Sequence, residues 1–133
     1  MRSTARETVF KFIYSQLFNP SDEELFARLK KGDGLNSDES EFANSLLQYV
    51  QNDKENFEKL IQDYSVGFKL NRIFAADKCA IFIGMAELKN FAETPTPVII
   101  DEAVKLAAKF STEKSTDFVN GILARYAKEI NRG

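Results

Sequence analysis

The sequence predicts an all-α protein of about seven helices, and three observations carry that prediction. Apolar residues recur at i, i+3, i+4 and i+7 along most of the chain, and strand-type alternation never persists. Ser, Thr and Asp at cap spacings, with Gly and Pro at stops, punctuate these stretches at helix-length intervals. The segment "LNRIFAADKCAIFIGMAELKNF" is apolar nearly all round, as a helix surrounded by other helices must be. At 133 residues the chain, 1–133, makes one ordinary domain, large enough to bury roughly two-thirds of its unfolded surface.

The first helix runs from about Thr4 to Phe18. Thr4 and Glu7 have capping-box spacing, and Asn19-Pro20 stops the helix. Ser21 and Glu24 repeat that spacing for a short second helix, with Lys30 and Lys31 in its last turn and Gly32 beyond. After the loop "GDGLNS", Asp38 and Glu41 open a third helix bearing Phe42, Leu46, Tyr49 and Val50 on one face. Phe57, Leu60, Ile61 and Tyr64 stripe a fourth, and Gly67 follows it. The apolar central segment is the fifth. "TPTPV" then breaks the chain, Pro97 enters the first turn of the sixth helix, and Val104, Ala107, Ala108 and Phe110 continue it. The seventh is "STDFVNGILARYAKEI", with Ser115 as N-cap and Asp117 near the positive helix end. The break near residue 67 divides the chain into two halves, 1–67 and 68–133.

Composition excludes several chemistries. There is no histidine, which removes Ser-His and Cys-His nucleophile pairs, the usual general base and every His-containing metal site. The single cysteine, Cys79, cannot form an internal disulfide and sits in an apolar run where a small core residue is expected. The start "MRSTARETVF" lacks the apolar core of a secretory signal, and no stretch approaches a membrane span, so a cytoplasmic protein is expected. No catalytic residue, metal site or cofactor is called for.

The net charge of −2 is unevenly spread: residues 1–20 balance to +2, residues 21–63 to −6 and residues 64–133 to +2. An anionic partner is therefore expected at the two ends of the chain. On the first helix Arg2, Arg6, Phe10 and Tyr14 fall in one i+4 row, so two guanidinium groups lead into two aromatic rings along a ridge. Such a row suits single-stranded nucleic acid, Arg on phosphate and an aromatic ring against a base. It equally suits a solvated helix end leading into a core. Glu87, within the apolar segment, needs a partner there, and Arg72 is expected to pair with it or with Glu102. Asp101 and Glu102 are adjacent and so point about 100° apart on a helix, which makes no acid-base pair.

Four segments in order, "ARETVFKFIY", "NRIFAADKCAIFIGMAEL", "TPVIIDEAVKLAAKF" and "FVNGIL", resemble the NusB family of bacterial transcription antitermination factors. The resemblance implies seven helices in two packed sub-bundles within one RNA-binding domain. It implies a non-catalytic adaptor that binds the boxA sequence of nascent ribosomal RNA, single-stranded, jointly with NusE, the small-subunit ribosomal protein, in the transcription elongation complex. It also implies RNA contacts from the start of the first helix, Arg2 and Arg6, from Tyr14, and from Phe118 of the FVNG motif; Lys114 and Asn120, near Phe118 in the chain, are further expected contacts on their own chemistry. Members of that family often begin with a run of arginines, of which Arg2 and Arg6 remain here, and some dimerise; a monomer and a homodimer both fit the resemblance. Two rivals are a helical protein-interaction module that never touches RNA and the accessory domain of a ribosomal RNA methyltransferase, the latter without a glycine-rich cofactor loop in this chain. The Asn120-Gly121 pair inside the last helix is a turn signal in a helical run. Its expected reason is packing: Gly121 lets another helix approach closely.

Overall fold

The first helix is already formed ahead of Thr4. In the computed structural model, which describes residues 2–20, 22, 24–65 and 73–132, α1 spans Arg2–Phe18 and stops, as expected, before Asn19-Pro20. Thr4 is therefore inside the helix, and Glu7 binds Lys109 of a distant helix at 2.6 Å rather than closing a capping box. The short α2 is Leu25–Gly32, with Lys30 and Lys31 in its last turn and Asp33 as C-cap. Ser21 lies outside the described residues, and Glu24 at the N-cap makes no side-chain cap bond.

The third and fourth expected helices are one: α3 runs unbroken over Ser37–Tyr64, 28 residues. The connecting "QNDKEN" is polar enough to read as a loop, but it holds no Gly or Pro, and its residues cost a helix little while facing water. The helix also starts earlier than Asp38. Asn36 accepts from the Glu39 backbone N–H at 2.8 Å while Glu39 Oε1 accepts from the Asn36 N–H at 3.0 Å, a complete capping box two residues ahead of the expected one.

The central helix α4 is Ala75–Asn90, buried continuously from Cys79 to Leu88. It is the axis of the fold, packed by α1 and α3 on one side and by α5 (Thr96–Phe110) and α6 (Glu113–Glu129) on the other. Phe82, Ile83, Met85, Leu46, Phe57, Ile99 and Leu123 fill the layers around it, and each such side chain contributes about 1.5–3 kcal/mol by leaving water. Pro97 occupies the first turn of α5. At α6 the N-cap is Thr112, whose hydroxyl accepts from the Ser115 N–H at 3.2 Å, while Ser115 is itself buried against it. Ser115 thus belongs to the first turn, because Thr112 offers a competent cap three residues sooner.

The packing glycine is Gly84, not Gly121. A Cβ on Gly84 would stand 2.5 Å from Leu123 Cδ1, so α4 and α6 cross there with no room for a side chain, whereas a Cβ on Gly121 would meet nothing within 4 Å. Gly121 is solvent-exposed, and the close-approach expectation for it is overturned. The chain end is also tied down. Arg132 donates from Nε to the Leu88 carbonyl at 2.7 Å, from Nη1 to the Thr94 carbonyl at 2.8 Å and from Nη2 to the Phe91 carbonyl, clamping the α4–α5 connection. The expected break at residue 67 and Arg72 lie outside the described residues.

Candidate nucleic-acid interface

The i+4 row of α1 is real as geometry, but its members divide. Arg2 is exposed, its guanidinium carbon 4.5 Å from the centre of the Phe42 ring, a cation–π seat in a surface pocket that Asp38, Glu39 and Glu41 also line. Arg6 is buried at 4% exposure. It donates from Nε and Nη2 to the two carboxylate oxygens of Glu87, both at 2.8 Å, and its Nη1 stands 3.7 Å from Glu102. Glu102 in turn accepts from the Ser3 hydroxyl at 3.1 Å.

Glu87 has the partner that its position demands, and among the described residues it is Arg6 on α1; the expected Arg72 lies outside them. Arg6 consequently turns inward and offers no free donor face to a phosphate. The physical reason is desolvation: a carboxylate at 1% exposure needs a fork of donors beside it, and α1 lies against α4 with Arg6 at the right height. Burial pushes the Glu87 carboxyl above its ordinary range, and the guanidinium pulls against that.

Further along the row the rings emerge gradually. Phe10 is buried and stacks on Phe110 of α5 at 4.6 Å; Tyr14 lies nearly parallel to Phe10 at 6.0 Å and is 38% exposed. Phe18 follows at 5.2 Å from Tyr14 and is 68% exposed. The two flanks of this ladder carry closed ion pairs, Lys11 with Asp33 at 2.7 Å and Lys109 with Glu7 at 2.6 Å. Phe18 is the next i+4 member after Tyr14, so its place at the exposed end of the row is written in the sequence.

On α6, Lys114 is exposed in the first turn and Phe118, one turn on, is half-buried against the core. Those two share a face. Asn120 does not, since two residues rotate a helix by about 200°; it lines a groove between α5 and α6 with Pro97, Ile100, Val104, Asp101 and Asp117. Two carboxylates make that groove a poor phosphate site, so the structure separates Asn120 from the other expected contacts. Cys79 is fully buried and its thiol is pushed up to about 12 by burial, which makes it inert packing. Among the described residues no cluster of Cys, Asp and Glu is placed to hold a metal ion, and no helix is long and apolar enough to cross a membrane.

An all-helical domain wrapped on one buried helix, with an exposed arginine and an emerging aromatic ladder on its first helix, defines the class: a helical scaffold presenting a surface. The model of the NusB family matches residues 3–128, and the chain belongs to that family. It is 29% identical over 137 aligned positions to a transcription antitermination protein NusB of Natranaerobius thermophilus, covering 98% of this chain and 97% of the relative. Two solved structures share the fold closely. One is a chain in the crystal structure of a plectonemic RNA supercoil, with a TM-score of 0.86, 26% identity and coverage of 98% and 96% of the two chains. The other is in the crystal structure of antitermination factors NusB and NusE in complex with double-stranded RNA, with a TM-score of 0.84, 25% identity and 96% of each chain covered.

Proposed function

We propose that this protein is an RNA-binding adaptor of transcription antitermination, holding boxA-type single-stranded RNA of nascent ribosomal RNA transcripts together with the ribosomal protein NusE and carrying out no catalysis. The observation that carries this is the match of the NusB family model to residues 3–128. It is supported by the antitermination name of a relative covering 98% of this chain. It is supported also by the likeness to the NusB of a complex with NusE and RNA.

The RNA face is built from Arg2 and Lys114 on phosphate and from Tyr14 and Phe118 on bases. Arg6 acts behind it, fixing the start of α1 to α4 so that Arg2 and the ladder keep their places. The α5–α6 groove with Asn120 is assigned to NusE and, through it, to the elongation complex. The groove's lining of Pro97, Ile100 and Val104 with two carboxylates fits a partly basic protein surface better than a polyanion.

The experiment is a titration of labelled boxA RNA with the protein alone and with an equimolar amount of NusE. Weak binding alone and much tighter binding with NusE is the expected result. Tight binding by the protein alone, unchanged by NusE, would sink the adaptor reading.

A further inference from the structure

Phe18 has no structural task that explains its exposure. It closes α1, and 68% of its surface faces solvent, which for a phenylalanine leaves most of a large apolar ring in water beyond its contact with Tyr14. It is also the end of a continuous series of rings. Phe110 and Phe10 stack with an interplanar angle of 17°, Phe10 and Tyr14 with 11°, and Tyr14 meets Phe18 at 57°. The buried end is rigid, so Phe10 fixes the plane of Tyr14, and Tyr14 is the base-contacting ring of the function proposed above. The exposed end then lies one helical turn farther along the same ridge.

We propose that Phe18 is a second stacking platform, taking the unpaired nucleobase next to the one on Tyr14. This rests on the RNA-binding reading and extends its site by one nucleotide toward the C-terminal end of α1. The choice of a nucleobase as occupant follows from what the ladder offers. The cations on its flanks are paired, Lys11 with Asp33 and Lys109 with Glu7, so what the exposed end of the ladder itself offers is π-faces in a row. Every base has a π-face, so a ring pair of this kind adds affinity without choosing sequence. Its spacing also places the stacking end away from the phosphate-binding end: from Arg2 to Phe18 is sixteen residues of helix, about 24 Å at 1.5 Å per residue. Sixteen steps of 100° also turn Phe18 about 160° around α1 from Arg2, so Phe18 extends the base-contacting end of the site at Tyr14 and not the Arg2 end.

The test is fluorescence titration of single-stranded boxA RNA against the wild type, Phe18→Ala, Phe18→Leu and Phe18→Tyr, each with a thermal melt. Because Phe18 is exposed, all variants are expected to melt like the wild type. Phe18→Ala is expected to weaken RNA binding roughly fivefold to hundredfold, the scale of one base–aromatic stack. Phe18→Leu, which keeps apolar bulk without a π-face, should not restore it, and Phe18→Tyr should. Equal affinity of the wild type and Phe18→Ala overturns the platform while leaving the adaptor function standing. Unchanged RNA affinity with weakened NusE binding overturns it in favour of a protein contact. Absence of RNA binding by the wild type, with and without NusE, overturns both.

Discussion

Removing the Arg6 guanidinium should unfold more than it disables. Arg6→Ala leaves the Glu87 carboxylate at 1% exposure with its two 2.8 Å donors gone. Breaking one side of a buried ion pair costs about 3–5 kcal/mol, because the remaining charge is stranded in a low-dielectric interior. The nearby Arg2 and the Ser3–Glu102 pair do not replace a bidentate fork. A domain of this size is stable by about 5–15 kcal/mol, so the variant loses roughly a fifth or more of its stability, and its melting temperature falls by roughly 10–20 °C. The loss should also depend on pH. Burial already raises the Glu87 pKa; without Arg6 it rises further, so the folded variant holds a proton that the unfolded chain releases above its ordinary pKa of about 4.5. Native protons in excess of unfolded ones make stability fall as pH rises. The penalty of Arg6→Ala should therefore be smaller near pH 4.5 than at neutral pH. Urea unfolding at two pH values, on Arg6→Ala, Glu87→Leu and the double variant Arg6→Met with Glu87→Leu, supplies the measurement. The double variant should recover most of the stability, since a well-packed apolar pair substitutes for a buried ion pair at little cost. A loss below about 1 kcal/mol in Arg6→Ala, flat with pH, would refute the argument and return Arg6 to the surface.

The two glycines should respond with opposite signs: Gly121→Ala gains about 0.5–1 kcal/mol by better helix propensity in open space, while Gly84→Val loses about 1–3 kcal/mol against Leu123, both read by urea unfolding. Arg132→Ala should cost about 2 kcal/mol, since a charged donor to three carbonyls is lost, with faster amide exchange in residues 88–96 as its signature. Burial works against the Asp33 carboxylate, but the bonds from Lys11 and Thr8 win and hold its pKa below the ordinary value of 3.8. A depressed folded pKa stabilises above the unfolded value and is lost as pH falls through the folded one. Asp33→Asn should therefore show a shallower fall in melting temperature below about pH 4 than the wild type. With Arg6 buried, Arg2 and Lys114 are the phosphate contacts of the assigned RNA face, so the logarithm of unaided RNA affinity should fall with the logarithm of salt at a slope of roughly −1.4; a slope steeper than about −4 would mean a basic surface elsewhere.

Local physics was legible in the sequence. The apolar period of 3.6 marked the helices, Asn19-Pro20 and "TPTPV" marked two of the breaks, and the all-round apolarity of residues 75–90 marked α4 as the axis, because burial on every side leaves no room for a polar face. The i+4 row on α1 was there to be read through to Phe18. What the sequence could not settle was choice among competent alternatives. Asn36 and Asp38 are both N-cap residues, as are Thr112 and Ser115, and the winner in each case is the earlier one, decided by where the helix already had bonds to make. The polar "QNDKEN" bridge could be loop or helix, and packing of both flanks of α3 made it helix. The partner of Glu87 was foreseeable as an arginine but not as Arg6, which stands 81 residues away. Gly121 was marked by its company with Asn120, yet the glycine that a crossing helix needs is Gly84, hidden in an apolar run. Hydrophobic period, caps and breakers act within a few residues and so are written locally. Which guanidinium reaches which carboxylate, and which glycine lies under a leucine, depends on how α1, α4 and α6 cross, and only the tertiary structure decided that.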